Sequence, residues 1–196
     1  MPNRIVGGSV VPAHSIPFQI GLTSAPSGTS PFCGGSLITP NYVLTAVHCT
    51  LGRAVTSFRV IVGDHDFLTT GDGEQFFNIR SKLEHPNYNS GNALAYDFSI
   101  LQLATSVTVP SSTAGIVCLP TVLTQTFVGE TLKISGWGTI VYGGSRSNLL
   151  KGASVTGKHH KRVNNTLEIK IHLTGRGFLS VHQHDFPIHQ DTCDQF

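Results

Sequence analysis

The chain has 196 residues, enough to bury one sizeable core or two small cores packed together. Only 12% of the residues are charged and the formal net charge is +2, so no nucleic-acid partner is expected. No run approaches the roughly 18 apolar residues of a membrane span, so no membrane partner is expected either. We identify no signal peptide before the first strand-like segment.

The first 145 residues predict short strands separated by turns that are rich in glycine and proline. Seven segments are apolar or alternating and rich in branched or aromatic residues: 18–22, 35–39, 43–46, 58–62, 75–79, 99–103 and 131–135. No stretch keeps an apolar period of 3.6 residues, which would indicate a helix. Many short strands at close spacing favour an all-β sandwich or barrel over alternating strands and helices.

The pattern changes past about Lys151. Six of the ten histidines lie between His159 and His189, and the rhythm of strands and turns becomes hard to follow. Residues 163–173 alternate well enough to predict one more strand. Two interpretations stay open for this tail: a genuine divergent segment, or translation in a shifted reading frame.

Seven sequence motifs occur in order over the first 138 residues. They are Arg-Ile-Val-Gly-Gly (4–8), Phe-Cys-Gly-Gly-Ser-Leu-Ile (32–38), Val-Leu-Thr-Ala-Val-His-Cys (43–49), Glu-His-Pro-Asn-Tyr (84–88), Asp-Phe-Ser-Ile-Leu-Gln-Leu (97–103), Val-Cys-Leu-Pro (117–120) and Ile-Ser-Gly-Trp-Gly (134–138). In this order and at these intervals, over roughly residues 4–150, the chain resembles the trypsin/chymotrypsin family of serine endopeptidases (peptidase S1). The resemblance implies a hydrolase that cleaves peptide bonds by acyl transfer.

The resemblance also implies an all-β fold of two packed antiparallel β-barrels with the catalytic site between them. We expect a single serine-protease-like domain over residues 5–196, whose second barrel is incomplete. Residues 5–104 would form the first barrel and residues 105–119 a linker. Residues 120–196 would form the partial second barrel, atypical after about residue 151.

His48 and Asp97 match two members of a Ser-His-Asp triad. A general base needs a pKa near the working pH and two distinguishable nitrogens, which histidine supplies. By the resemblance, Asp97 would be buried, accept the other imidazole N–H and stabilise the imidazolium. The alternatives are a structural histidine beside a disulfide and an ordinary turn aspartate at the start of a strand.

The serine that completes the family's triad, in a Gly-Asp-Ser-Gly-Gly setting, does not occur in this sequence. In the family, cleavage after Arg4 would free an amino group at Ile5, which pairs with the aspartate before that serine. No Asp-Ser pair occurs in the 196 residues, so this partner is missing too. Ser180 is the last serine of the sequence, but it lacks neighbouring glycines for an oxyanion hole.

We therefore expect a family member that is inactive in this form. One alternative is a non-catalytic pseudoprotease that acts as a binding or regulatory module. Another is a non-functional fragment of an active protease. The resemblance further implies a protein or peptide substrate, or a protein partner, and a monomeric chain in an extracellular, secreted setting.

Two further predictions concern crosslinks and metals. Cys33 and Cys49 are 16 residues apart and flank the segment of His48, which favours a disulfide between them, whereas the pairing of Cys118 and Cys193 stays open. Asp64, Asp66, Asp72 and Glu74 lie in a loop that resembles the family's calcium loop and offer hard oxygen ligands. Because acidic residues are common in solvated turns, we favour no metal and no cofactor, with calcium as the alternative.

Overall fold

The computed structural model describes residues 8–89, 91, 96–119, 127–139, 145–157 and 180–183, the last of these as backbone only. Its β-strands are β1 (Ser9–Val10), β2 (Gln19–Ser24), β3 (Cys33–Thr39), β4 (Tyr42–Thr45), β5 (Phe58–Val62), β6 (Gln75–Glu84), β7 (Ser99–Leu103), β8 (Thr131–Gly136), β9 (Lys151–Thr156) and β10 (Ser180–Gln183). One turn of helix, α1 (Val47–Thr50), follows β4, and a 3-10 turn (Val55–Ser57) precedes β5. No helix in these residues is long and apolar enough to cross a membrane.

Strands β2 to β7 form a closed antiparallel barrel in the order β2-β3-β4-β7-β6-β5. The pairing of β5 with β2 closes it, and places Ile20 opposite Val62. Side chains that are at most 2% exposed fill the barrel: Ile20, Leu22, Leu37, Val43, Phe58, Val60, Leu101 and Leu103. Burial of this apolar surface is the main stabilising contribution to the barrel.

Strand β1 and three strands of the second half of the chain form a four-stranded antiparallel sheet in the order β1-β9-β8-β10. Strand β1 precedes the barrel in the sequence but pairs with β9, where Ser9 lies opposite Gly152. Trp137 and Leu150 belong to the same buried apolar cluster as the barrel residues, so the sheet packs on the barrel. The expected division into a first barrel, a linker and a second barrel, with boundaries at residues 104 and 119, stays a prediction. Strand β1, from the start of the chain, pairs with β9 of the second sheet.

The structure confirms an all-β, chymotrypsin-like architecture with a closed barrel and a second sheet. All seven predicted strands are present, and β5 and β7 have the predicted bounds, while β6 continues five residues further to Glu84. Strands β1, β9 and β10 were not predicted: β1 has two residues, β9 lacks an apolar alternation, and β10 has only four residues. The strand predicted over residues 163–173 lies outside the described residues.

Candidate active site

His48 lies in the single helical turn α1, which leaves the barrel directly after β4. Val47, Cys49 and Thr50 are buried in this turn, whereas the His48 side chain keeps 27% of its surface exposed. A disulfide joins Cys49 to Cys33 at the start of β3, with a Cα–Cα distance of 6.0 Å. The turn is therefore attached to the barrel on one side and presents its histidine on the other.

Asp97 lies just before β7 and directs both carboxylate oxygens at His48. Its Oδ2 is 2.6 Å from His48 Nδ1, and its Oδ1 accepts the backbone N–H of His48 at 2.9 Å. The Asp97 side chain is only 12% exposed. A carboxylate on Nδ1 favours the tautomer that carries its proton there, which leaves the lone pair of Nε2 free to accept one. This is the arrangement that a general base requires.

The charge of Asp97 also acts on Tyr88, for which the sequence predicted no role. Its burial, and then the negative charge of Asp97, raise the pKa of the Tyr88 phenol. The phenol thus lies close enough to Asp97 to sense its charge, and it stays neutral at physiological pH. Its position in the motif Glu-His-Pro-Asn-Tyr (84–88) is the sequence feature that could have marked Tyr88 as a residue near the site.

Three of the four carboxylates in the acidic loop between β5 and β6 accept hydrogen bonds that close the loop. Asp72 Oδ2 accepts the N–H groups of His65 at 3.2 Å and of Asp66 at 2.9 Å. Asp66 accepts the N–H of Leu68 at 3.1 Å and the Asn148 amide at 2.9 Å, and Glu74 accepts the N–H of Gly71 with both oxygens. These bonds occupy the oxygens of Asp66 and Glu74 within the protein.

Two carboxylates of this loop, Asp64 and Asp72, also have buried oxygens without a hydrogen bond among the described residues. Both oxygens of Asp64 and the Oδ1 of Asp72 are in this state. Burial first, and then the charges of Asp72, Glu74 and Asp66, raise the pKa of Asp64 to about 7. Buried hard oxygens of this kind are groups with which a cation would pair, and the expectation of no metal stays a prediction.

The sequence and structural comparisons identify the family. A family model described as Trypsin matches residues 5–180. The chain belongs to the trypsin family. Chymotrypsin-like elastase family member 1 of Rattus norvegicus is 36% identical over 152 residues, and trypsin of Sus scrofa is 38% identical over 143 residues. A solved structure titled human heparin binding protein superimposes with a TM-score of 0.69 at 28% identity.

These alignments cover most of this chain but only part of each relative. They include 76% and 73% of this chain, against 56% of the rat elastase-like protein and 57% of the pig trypsin. The chain thus spans little more than half the length of these curated relatives. The human structure is matched over 78% of this chain and 65% of its own.

The structure brings together only part of the site expected of a trypsin-family member. His48, Asp97 and the Cys33–Cys49 disulfide meet as described, whereas Arg4 and Ile5 lie outside the described residues. The backbone of Ser180 lies in β10, opposite Ser135 of β8. Cys118 is disulfide-bonded, and its partner lies outside the described residues.

The sulfurs of Cys33 and Cys49 lie within 4.8 Å of a His48 nitrogen. Because these sulfurs form a disulfide, they are not available as thiolate ligands for a metal ion.

Proposed function

We propose that this trypsin-family chain carries the acid–base half of a serine endopeptidase site. The observation that supports the proposal is the contact of 2.6 Å between His48 Nδ1 and Asp97 Oδ2, reinforced by the bond from the His48 backbone N–H to the same carboxylate. Two hydrogen bonds to one carboxylate fix both the tautomer and the orientation of the imidazole. Proteolysis at the level of the family, acting on proteins or peptides, is consistent with this pair.

In such a site, Nε2 of His48 takes the proton of a serine hydroxyl as that oxygen attacks the scissile carbonyl. The imidazolium then gives the proton to the leaving amine, and Asp97 stabilises the positive charge between the two steps. The partial exposure of His48 lets a peptide reach Nε2, while the low exposure of Asp97 keeps its charge poorly screened.

We further infer that the 196-residue polypeptide does not form an acyl-enzyme by itself. Its sequence holds no Asp-Ser pair and no Gly-Asp-Ser-Gly-Gly motif, so it supplies neither the nucleophile nor the glycines that shape an oxyanion hole. Loss of a catalytic serine lowers turnover on the order of 10⁶-fold in a well-studied serine protease.

Fluorogenic peptides with basic, aromatic and small residues before the scissile bond test this inference. We expect hydrolysis at least about 10⁵-fold slower than by pig trypsin or a chymotrypsin-like enzyme, and no further change in His48→Ala. The His48→Ala variant separates catalysis by this chain from a contaminating protease. Hydrolysis by the unaltered chain that is lost in His48→Ala would contradict the inference.

A second candidate function is a pseudoprotease that binds a protein partner. The closed barrel and the His48–Asp97 pair, in a sequence without the family's serine motif, support it. The coding sequence past codon 151, translated in three frames, separates this candidate from a fragment of an active protease. A shifted frame that encodes Asp-Ser-Gly-Gly would favour the fragment, and its absence would favour the pseudoprotease.

We also propose that the loop between β5 and β6 holds a calcium ion through Asp64 and Asp72. The buried oxygens without partners in these two carboxylates support the assignment, and a cation would offset their mutual repulsion. Thermal unfolding in calcium and in a chelator tests it. Calcium should raise the melting temperature of the unaltered chain but not of Asp64→Asn, because only the folded site binds the ion. An equal response in both chains would exclude this site.

Secretion and a monomeric state are proposals of the same kind. The Cys33–Cys49 disulfide and the disulfide-bonded state of Cys118 support secretion, because disulfides persist in oxidising compartments.

A further inference from the structure

We propose that Glu84 is a positioning residue for His48, and that it acts through Thr50 at the far end of the helical turn α1. The inference rests on the proposed function, because it takes His48 as the general base. Glu84 is the last residue of β6, whereas His48 lies in α1 after β4 and Asp97 lies just before β7. Glu84 opens the motif Glu-His-Pro-Asn-Tyr (84–88), but the motif by itself does not predict this role.

The contacts of Thr50 carry the proposal. Its side chain is fully buried, and its hydroxyl donates to Glu84 Oε1 at 2.8 Å. Lys82 Nζ donates both to the carbonyl oxygen of Thr50 and to Glu84 Oε1, each at 2.7 Å. The side chain and the carbonyl of the last residue of α1 are thus held by one ion pair.

The strand register explains why these groups meet next to the His48–Asp97 pair. Ser99 of β7 lies opposite Thr45 at the end of β4 and opposite Glu84 at the end of β6. Its buried hydroxyl is 3.3 Å from the hydroxyl of Thr50. Strand β4 leads into α1, and Asp97 lies two residues before Ser99. The three strands therefore bring the histidine, its carboxylate partner and Glu84 to one end of the barrel.

Besides the Cys33–Cys49 disulfide, two carboxylates hold the helical turn. Asp97 accepts the backbone N–H of His48, while Glu84 and Lys82 bind Thr50 two residues later. A single turn of helix is not stable through its own hydrogen bonds, because forming a helix nucleus is unfavourable. The orientation of His48 therefore depends on these external contacts, and the 2.6 Å contact with Asp97 leaves little room for displacement.

The electrostatics favour a charged Glu84. Burial acts to raise its pKa, but the hydrogen bonds from Lys82 and Thr50 and the charge of Lys82 outweigh burial, so the pKa of Glu84 lies below its ordinary value. The side chains of Lys82 and Glu84 are 20% and 24% exposed, so solvent screens the pair less than it screens a fully exposed one. Hydrogen bonds to a charged acceptor are stronger than those between neutral groups.

The exchange of the His48 Nδ1 proton with water, measured by NMR on the full chain with ¹⁵N-labelled histidine, tests the proposal. The resonance is assigned by its loss in His48→Asn. Glu84→Ala should speed this exchange about tenfold, because a hydrogen bond to a charged group is lost. Thr50→Val, which keeps the shape of the side chain, should have the same effect. Glu84→Gln and Thr50→Ser keep the hydrogen bond and should largely restore slow exchange.

Arg80→Ala is the matched control, since Arg80 is an exposed residue of the same strand. It should leave the exchange unchanged. Glu84→Ala could lower the free energy of unfolding while the Nδ1 proton exchanges as slowly as in the unaltered chain. That result would show a purely structural role for Glu84 and overturn the proposal. An equal acceleration in Arg80→Ala would overturn it as well. A missing Nδ1 resonance in the unaltered chain would contradict the His48–Asp97 pair, and therefore the proposed function itself.

Discussion

The closed barrel and the second sheet of this protein are built differently. In the barrel, five of the six residues of β2 are buried, and every strand pairs with a neighbouring strand along both of its edges. In the second sheet, β9 is half-buried or exposed along its whole length, and the described strands do not close on themselves. Both residues of the acid–base pair belong to the barrel side. The barrel side thus carries the proposed acid–base pair, and the second sheet packs on the barrel.

The first prediction compares the cores of the two regions. Leu101→Ala in β7 should cost about 4 kcal/mol of unfolding free energy, because the residue is fully buried and leaves a cavity. Val155→Ala in β9 should cost less than about 1 kcal/mol, because Val155 is already 37% exposed. Urea unfolding measures both. Similar costs would show that the second sheet is as tightly packed as the barrel.

The second prediction concerns pH and the buried Asp64. Its pKa is about 7 in the folded state against an ordinary value of 3.8, so the folded protein binds this proton more tightly than the unfolded chain does. The contribution of this proton to the unfolding free energy is fully present below about pH 4 and is lost as the pH rises through about 7. In a chelator, the unaltered chain should lose up to about 4 kcal/mol relative to Asp64→Asn between pH 4 and 8. If the unfolding free energies of the two proteins changed in parallel with pH, Asp64 would not be a buried carboxyl group with a raised pKa.

The third prediction removes the crosslink of the barrel. Replacing Cys33 and Cys49 together by alanine removes the covalent link that closes a short loop of the unfolded chain. The unfolding free energy should fall by about 3 kcal/mol. The loss should appear in guanidinium unfolding as a lower midpoint. An unchanged midpoint would mean that hydrogen bonding alone holds α1 against β3.

The smallest predicted effect lies at the contact between the two regions. Ser135 of β8 donates its hydroxyl to Gln19 Oε1 of β2 at 2.7 Å, and both side chains are buried. Ser135→Ala should cost about 1 to 2 kcal/mol, because it leaves the Gln19 oxygen without this donor. Ser154→Ala, on the exposed side of β9, should cost less than about 0.5 kcal/mol and serves as the control. Equal costs would mean that this bond does not join the sheet to the barrel.

The sequence predicted the barrel better than the second sheet for a physical reason. The barrel strands carry runs of branched and aromatic residues, as in Phe58–Val62, and such runs indicate buried strands without knowledge of the partner. Strand β9, Lys-Gly-Ala-Ser-Val-Thr, exists because β8 and β1 pair with it, and long-range pairing leaves no local signal.

The same contrast applies to the candidate site. The motifs around His48 and Asp97 pointed to the pair, because each residue is marked by its local sequence. The role of Glu84 depends on the register of β6 against β7 and on Thr50 facing both, which a single sequence does not reveal. The orphaned oxygens of Asp64 were equally hidden, because their burial depends on how the loop folds.

An ordered His48–Asp97 pair in a sequence without the Gly-Asp-Ser-Gly-Gly motif is tested most directly by a fluorophosphonate probe. The chain would be prepared to begin at Ile5 and treated with the probe beside pig trypsin, and tryptic peptides would be analysed by mass spectrometry. We predict no probe on any serine of this chain under conditions that label pig trypsin completely. A probe attached to a serine of the folded chain, Ser180 included, and lost in His48→Ala would contradict the account.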